Sequence, residues 1–215
     1  LLHRLGYDVR MVDHPESARA YMSKGLLRKA KVLAEKNVTI FSEIIGEDAP
    51  LLGIEPSAIL SFRDEYPDLV SEPLRLKAKA LGRHVYLIDE FLAAEAEKGH
   101  ITSAQFTSSK QHIKLHGHCQ QKALSSTLHS KKMLSIPQNY SVEVIPSGCC
   151  GMAGSFGYEK EHYDLSMQIG EMVLFPAVRN AADGTIIAAP GTSCRHQVKD
   201  GTGVKALHPV EILYN

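Results

Sequence analysis

Five short apolar runs, separated by longer stretches of helical periodicity, constrain the fold of this chain more than any other feature. The runs lie at residues 7–12, 50–54, 112–115, 141–145 and 185–189. Each is bounded by glycine, proline or polar residues, so each reads as a strand. The periodic stretches lie at 18–45, broken near Gly25 and Asn37, and at 58–66, 73–81, 88–98, 120–133 and 161–180. Strands alternating with helices specify an α/β fold with mainly parallel sheets flanked by helices. The polar segment 98–110, rich in Ser and Thr, reads as a connection between two halves.

The halves resemble each other. Residues 7–12 (Tyr7-Asp8-Val9-Arg10-Met11-Val12) align with Tyr140-Ser141-Val142-Glu143-Val144-Ile145. At nearly the same offset, the run from Pro50 aligns with the run from Thr185, with Ser57 over Ser193. Two matches at one offset suggest a pseudo-duplicated unit. Residues 1–97 then form a degenerate, cysteine-free first copy, and residues 98–215 form the second copy with all the cysteines. The alignment puts Ala58 on Cys194. Leu1–Leu5 reads as the last turn of a helix closed by Gly6. That opening, and a first strand that would precede Leu1, lead us to expect a fragment of a longer polypeptide.

The four cysteines fall at informative places. Cys119 follows the run 112–115, Cys149 and Cys150 follow 141–145, and Cys194 follows 185–189. In an open parallel sheet, sites form beyond the carboxyl ends of the strands. Three strand ends therefore deliver four thiols to one edge, where they can hold a metal or cluster. The bland alternative is that they are buried small hydrophobes. Gly148 and Gly151 bracket the adjacent pair. Glycines let a backbone turn tightly and bring N–H groups to an anionic centre. The string Gly151-Met152-Ala153-Gly154-Ser155-Phe156-Gly157 lacks the Lys-Ser/Thr ending of a phosphate-binding P-loop. His116, His118 and His196 stand beside the cysteines as further nitrogen donors. Their blander roles are helix capping or hydrogen bonding to a thiolate. Arg195 has the charge to offset an anionic cluster. Glu55, Arg63, Asp64 and Glu65 read as a turn and a helix surface rather than a catalytic group, and Met152, Met167 and Met172 as packing residues.

These motifs make the chain similar to a known family. Cys119, Cys149-Cys150-Gly151 and Cys194 resemble the cysteine-rich CCG domain found in heterodisulfide reductase and in the glycolate oxidase iron–sulfur subunit. Longer strings resemble more closely the C-terminal part of FAD-linked oxidase/iron–sulfur proteins of the D-lactate and D-2-hydroxyglutarate dehydrogenase type. They are Gly53-Ile54-Glu55-Pro56-Ser57, Phe62-Arg63-Asp64-Glu65, His116-Gly117-His118-Cys119, the run Ser147 to Tyr158, and Gly191-Thr192-Ser193-Cys194-Arg195-His196-Gln197.

The resemblance implies an iron–sulfur electron-transfer domain of a FAD-dependent 2-hydroxy-acid oxidoreductase. Cys119, Cys149, Cys150 and Cys194 would ligate a 4Fe-4S type cluster. FAD would bind in a missing N-terminal part, and the partners would be flavin and ferredoxin-like domains of the same polypeptide and an electron acceptor. A cytoplasmic location is implied, with contact to the inner face of a membrane through the acceptor. The family pattern often ends in Cys-x-x-Cys, whereas here the last position is Gln197, so the five-thiol set of a noncubane cluster is incomplete. Two other readings remain: a structural zinc module, and a thiol–disulfide protein using Cys149 or Cys150.

Charge and hydropathy exclude other classes. The chain has 24 basic and 24 acidic side chains, without the basic excess that nucleic-acid binding normally needs. No apolar run approaches the roughly 18–20 residues that span a bilayer.

Overall fold

The computed structural model describes residues 1–214. The chain divides into two compact units: Val9–Ile88, and Leu1–Asp8 together with the chain from Asp89 onward. The fold is α/β, as the alternating pattern requires, with two small sheets that are parallel throughout.

In the unit Val9–Ile88, β1 (Leu51–Gly53) pairs in parallel with β2 (Val85–Leu87). The expected helix 18–45 is broken near Gly25, whose φ is +69°, into α1 (Arg19–Ser23) and α2 (Leu27–Phe41). Asn37 does not break α2. Its buried amide donates to Glu16 O at 3.0 Å and Tyr66 Oη at 3.1 Å, so tertiary bonds hold it in the helix. Ala30, Ala34, Val38 and Phe41 form the buried stripe of α2, with spacings of four and three residues that keep them on one face. The unit continues through α3 (Pro56–Ile59), α4 (Tyr66–Leu69) and α5 (Glu72–Gly82). Pro56 starts α3 as the sequence suggests, and Arg63 Nε donates to Val85 O at 2.8 Å. β2 escapes sequence reading because its three residues run directly into α6 (Ile88–Glu97).

The other unit is built on β3 (Gln111–Leu115), β4 (Tyr140–Val144) and β5 (Ile186–Ala188), ordered β4–β3–β5. Leu207 extends it by a parallel bridge to Ala188. The expected helix 120–133 is two helices, α7 (Cys119–Leu124) and α8 (Thr127–Leu134), because Ser125 leaves helical geometry and Ser126 caps α8 by accepting from Leu128 N. The expected helix 161–180 is likewise two, α9 (Tyr163–Met172) and α10 (Leu174–Arg179). Pro176 accounts for this: without an N–H it belongs in a first turn, so the chain breaks at Val173. Helices α11 (Thr192–Thr202) and α12 (Pro209–Tyr214) complete the unit.

The core beneath the sheet includes Ile145, Cys150, Met152, Leu174, Phe175, Ile187, Cys194 and Val198. Met152 belongs to it and Met167 packs against it, but Met172 is 77% exposed and is no packing residue.

The expected strand 7–12 does not form. Leu2–Leu5 is a helical turn closed by Gly6 at φ +90°, as read from the sequence. Beyond it, side chains rather than a ladder anchor the backbone. Tyr7 Oη donates to Glu95 Oε2 at 2.8 Å, its ring meets Phe91 edge-on, and Met11 is almost fully exposed. The strand-on-strand match between residues 7–12 and β4 therefore lacks one of its two strands.

Candidate functional site

β3, β4 and β5 run parallel, so the loops that follow them open on one edge of the sheet. His116 N donates to Ala188 O at 2.8 Å and Ile145 N to Leu115 O at 2.9 Å, which keeps the three ends level. After β3, His116-Gly117-His118 leads into Cys119 at the start of α7. The loop after β4 carries Ser147, Gly148, Cys149 and Cys150. After β5, Pro190-Gly191 leads into α11, with Cys194 in its first turn.

The four sequence-predicted cysteines meet here as free thiols, each beside the next. Cys119 contacts Cys149, Cys149 contacts Cys150, and Cys150 contacts Cys194. Cys119 is exposed and Cys149 half-buried, while Cys150 and Cys194 are 2% and 1% exposed. The centre thus runs from solvent into the core.

Thiols in contact cannot all ionise without a cation to offset the charge. Hydrogen bonding to Cys149 and burial push the Cys119 thiol up. Bonds to Cys149 and Cys194, with burial, do the same for Cys150. Bonds from Cys119 and Cys150 pull Cys149 far down despite burial, helped by Gly151 N–H at 3.3 Å from its Sγ. The thiol of Cys150 pulls Cys194 down against burial, and the imidazole of His116 adds to it. A bound cation would draw the protons from such thiols.

His116 is the most informative neighbour. It is fully buried, and its Nδ1 lies 2.6 Å from Ser147 Oγ. Its Nε2 has no nitrogen or oxygen partner among the described residues, and the imidazole pairs with the sulfur of Cys194 instead. Ligand atoms of His116, Cys150 and Cys194 all lie within 4.8 Å of one another. Two buried thiols and a buried imidazole suit a thiophilic metal, and the donor chemistry therefore fits a metal or an iron–sulfur group.

The other expected residues take up different tasks. His118 caps α7, its Nδ1 accepting from Gln120 N at 3.1 Å. Gly191 lies hard against the His118 ring, and a Cβ there would stand 3.2 Å from Cys194 Sγ. Gly151 has φ +103°, and an added Cβ would collide with Ser166 O. Gly148 meets nothing within 4 Å of such a Cβ, and its carbonyl receives Lys122 Nζ at 2.9 Å. The Arg195 guanidinium binds Ala189 O, Pro190 O and Thr192 Oγ1, fastening the β5–α11 loop. His196 pairs with Tyr158 Oη at 2.7 Å on the exposed side of α11.

Three contributors were not legible in the sequence. Ser147 orients His116. Lys122 Nζ lies 2.5 Å from Ser147 O and pins the cysteine loop to α7; its position three residues after Cys119, one helical turn, was the available signal. Gln197, whose role the sequence left open, is buried and donates to Ser166 O and Oγ at 3.0 and 2.9 Å.

Comparison with known proteins agrees with the resemblance. The chain is 29% identical to D-2-hydroxyglutarate dehydrogenase of Escherichia coli (strain K12), over 99% of its own length and 20% of that protein's. It is 27% identical to the D-2-hydroxyglutarate dehydrogenase of Haemophilus influenzae, with the same coverage. It is 24% identical to one component of the anaerobic glycerol-3-phosphate dehydrogenase of E. coli K12, over 99% of the chain and 52% of that component. The chain thus spans about a fifth of the first relatives and about half of the last. No family model and no solved structure matches it. These relatives are dehydrogenases or a component of one, and no helix among the described residues is long and apolar enough to cross a membrane.

Proposed function

We propose that this chain is the iron–sulfur electron-transfer domain of a FAD-dependent 2-hydroxy-acid oxidoreductase, with Cys119, Cys149, Cys150 and Cys194 as the ligands of its centre. The observation that carries the reading is the unbroken chain of four free thiols at one sheet edge. Similarity along the whole chain to D-2-hydroxyglutarate dehydrogenases supports it. FAD and ferredoxin-like domains belong, in this reading, to the remainder of a longer polypeptide, and residues 98–215 carry the cysteine unit.

A bound 4Fe-4S type cluster would supply one-electron redox chemistry. The protein's own residues prepare for it. The thiols of Cys150 and Cys194 sit in the core beside His116, where water is excluded. The exposed Cys119 forms the edge nearest solvent and hence nearest an electron partner. Gly151 N–H donates to Cys149 Sγ, a bond of the kind that stabilises charge on sulfur. Lys122 holds the loop carbonyls and brings a positive charge to Cys119.

Anaerobic iron and sulfide analysis of the full-length protein tests this. Cys119→Ser and Cys194→Ser should each lose the iron of this centre and leave flavin binding intact. Flavin reduction by substrate should survive, while transfer to the acceptor falls. Unchanged iron content and acceptor turnover in both variants would refute the assignment. The buried group of one imidazole and two thiols supports a second reading, a structural zinc site. Stoichiometric zinc in a colourless anaerobic preparation would favour it, and a brown one the cluster.

A further inference from the structure

We infer that His116 is a fifth ligand of this centre, coordinating through Nε2 and replacing the thiol that is absent at Gln197. The inference rests on the metal-site reading above and deepens it.

Gln197 cannot take the fifth place as it stands. Its amide is committed to Ser166 O and Oγ, and the backbone at Gly151 closes on the same amide. A neutral donor on the buried side must come from elsewhere, and His116 has an atom to give. It follows β3, is fully buried, and its Nε2 has no nitrogen or oxygen partner among the described residues. Ligand atoms of Cys150 and Cys194 are within 4.8 Å of the ring's, and Cys194 already bonds to the ring.

The opposite ring nitrogen sets the chemistry. Nδ1 lies 2.6 Å from Ser147 Oγ, which can accept a hydrogen bond. With the proton on Nδ1 and donated to Ser147, Nε2 carries a lone pair, the form that binds metal. Ser147 is 5% exposed and belongs to the same loop as Cys149 and Cys150, so the loop that supplies two thiols also orients the histidine. His118 has no such role, because its Nδ1 is engaged with Gln120 N in capping α7.

The test is pulsed electron paramagnetic resonance on anaerobic, reduced full-length protein with ¹⁵N-labelled histidine. A nitrogen strongly coupled to the electron spin is expected in the wild type and in His118→Ala, and lost in His116→Ala and His116→Cys. His116→Cys should keep the iron, since a thiol takes the place. Ser147→Ala should retain the ring but bind the metal about 10–100-fold more weakly, as loss of an orienting hydrogen bond does at such sites. A wild-type spectrum without that coupling is decisive even if a His116 variant fails to fold, and retention of the coupling in His118→Ala excludes the nearest other histidine in the chain. Iron present at the cysteines with no histidine nitrogen coupling overturns this inference and leaves the electron-transfer reading standing. No iron at this site in the wild type overturns both.

Discussion

Gly148 and Gly151 bracket the cysteine pair and look equivalent in sequence, yet the structure predicts opposite responses to the same substitution. Gly151 has φ +103°, a conformation that costs a residue with a side chain about 1–3 kcal/mol. A Cβ there would also run into Ser166 O and stand 2.8 Å from Gln197 Nε2. The Ser166 carbonyl belongs to α9 and cannot swing away like a side-chain tip, so overpacking adds about 1–3 kcal/mol. Gly151→Ala should therefore destabilise the fold by about 2–6 kcal/mol, lowering the midpoint of thermal unfolding by roughly 5–20 °C. At Gly148 an added Cβ meets nothing within 4 Å and φ is not positive. Gly148→Ala should change stability by no more than about 0.5 kcal/mol, with any gain coming from a stiffer unfolded chain. Thermal unfolding of both variants, prepared metal-free under reducing conditions, measures the difference. Metal uptake by Gly151→Ala should fall as well, because the same loop carries Cys149 and Cys150. Equal midpoints for the two variants would refute the account of this loop.

Other consequences are as direct. In metal-free protein at neutral pH, iodoacetamide should modify Cys149 first, because it is both pulled toward the thiolate and half-exposed, while buried Cys194 reacts only on unfolding; mass spectrometry of timed samples checks the order. Glu95 is desolvated, yet bonds from Lys98, His100 and Tyr7 lower it from 4.5 to about 2. Its stabilisation is thus full above pH 4.5 and lost as pH falls toward 2, so Glu95→Gln should lower stability at neutral pH and flatten that acid limb in denaturant titrations. Burial raises the Asp89 carboxyl despite bonds from Ser130, Glu90 N and Gln121. A raised carboxyl costs stability as pH climbs past the ordinary carboxylate range, so Asp89→Asn should remove that decline. Phe175 is fully buried between Gly170 and Gly201, and Phe175→Ala should cost about 3–5 kcal/mol by equilibrium unfolding.

By itself the sequence determined the α/β class, the parallel sheet that bears the site, and the four cysteines at three strand ends. These are local properties: an apolar run four or five residues long, turn formers at its ends, and a cysteine just beyond. It also located the chain break at Gly25. It failed where partners distant in the chain decide the outcome. Residues 7–12 have a strand's composition but no ladder neighbour, and Tyr7 is held by Glu95 and Phe91 instead. Asn37 reads as a breaker until Glu16 and Tyr66 satisfy its amide. Arg195 and His196 adjoin Cys194 in sequence, yet α11 turns them to the β5 loop and to Tyr158. Proximity along a helix does not specify a shared direction, because successive residues project about 100° apart. Only the folded chain shows that His116 is buried beside two thiols with no nitrogen or oxygen partner at Nε2, since that depends on which groups are missing around it as much as on which are present.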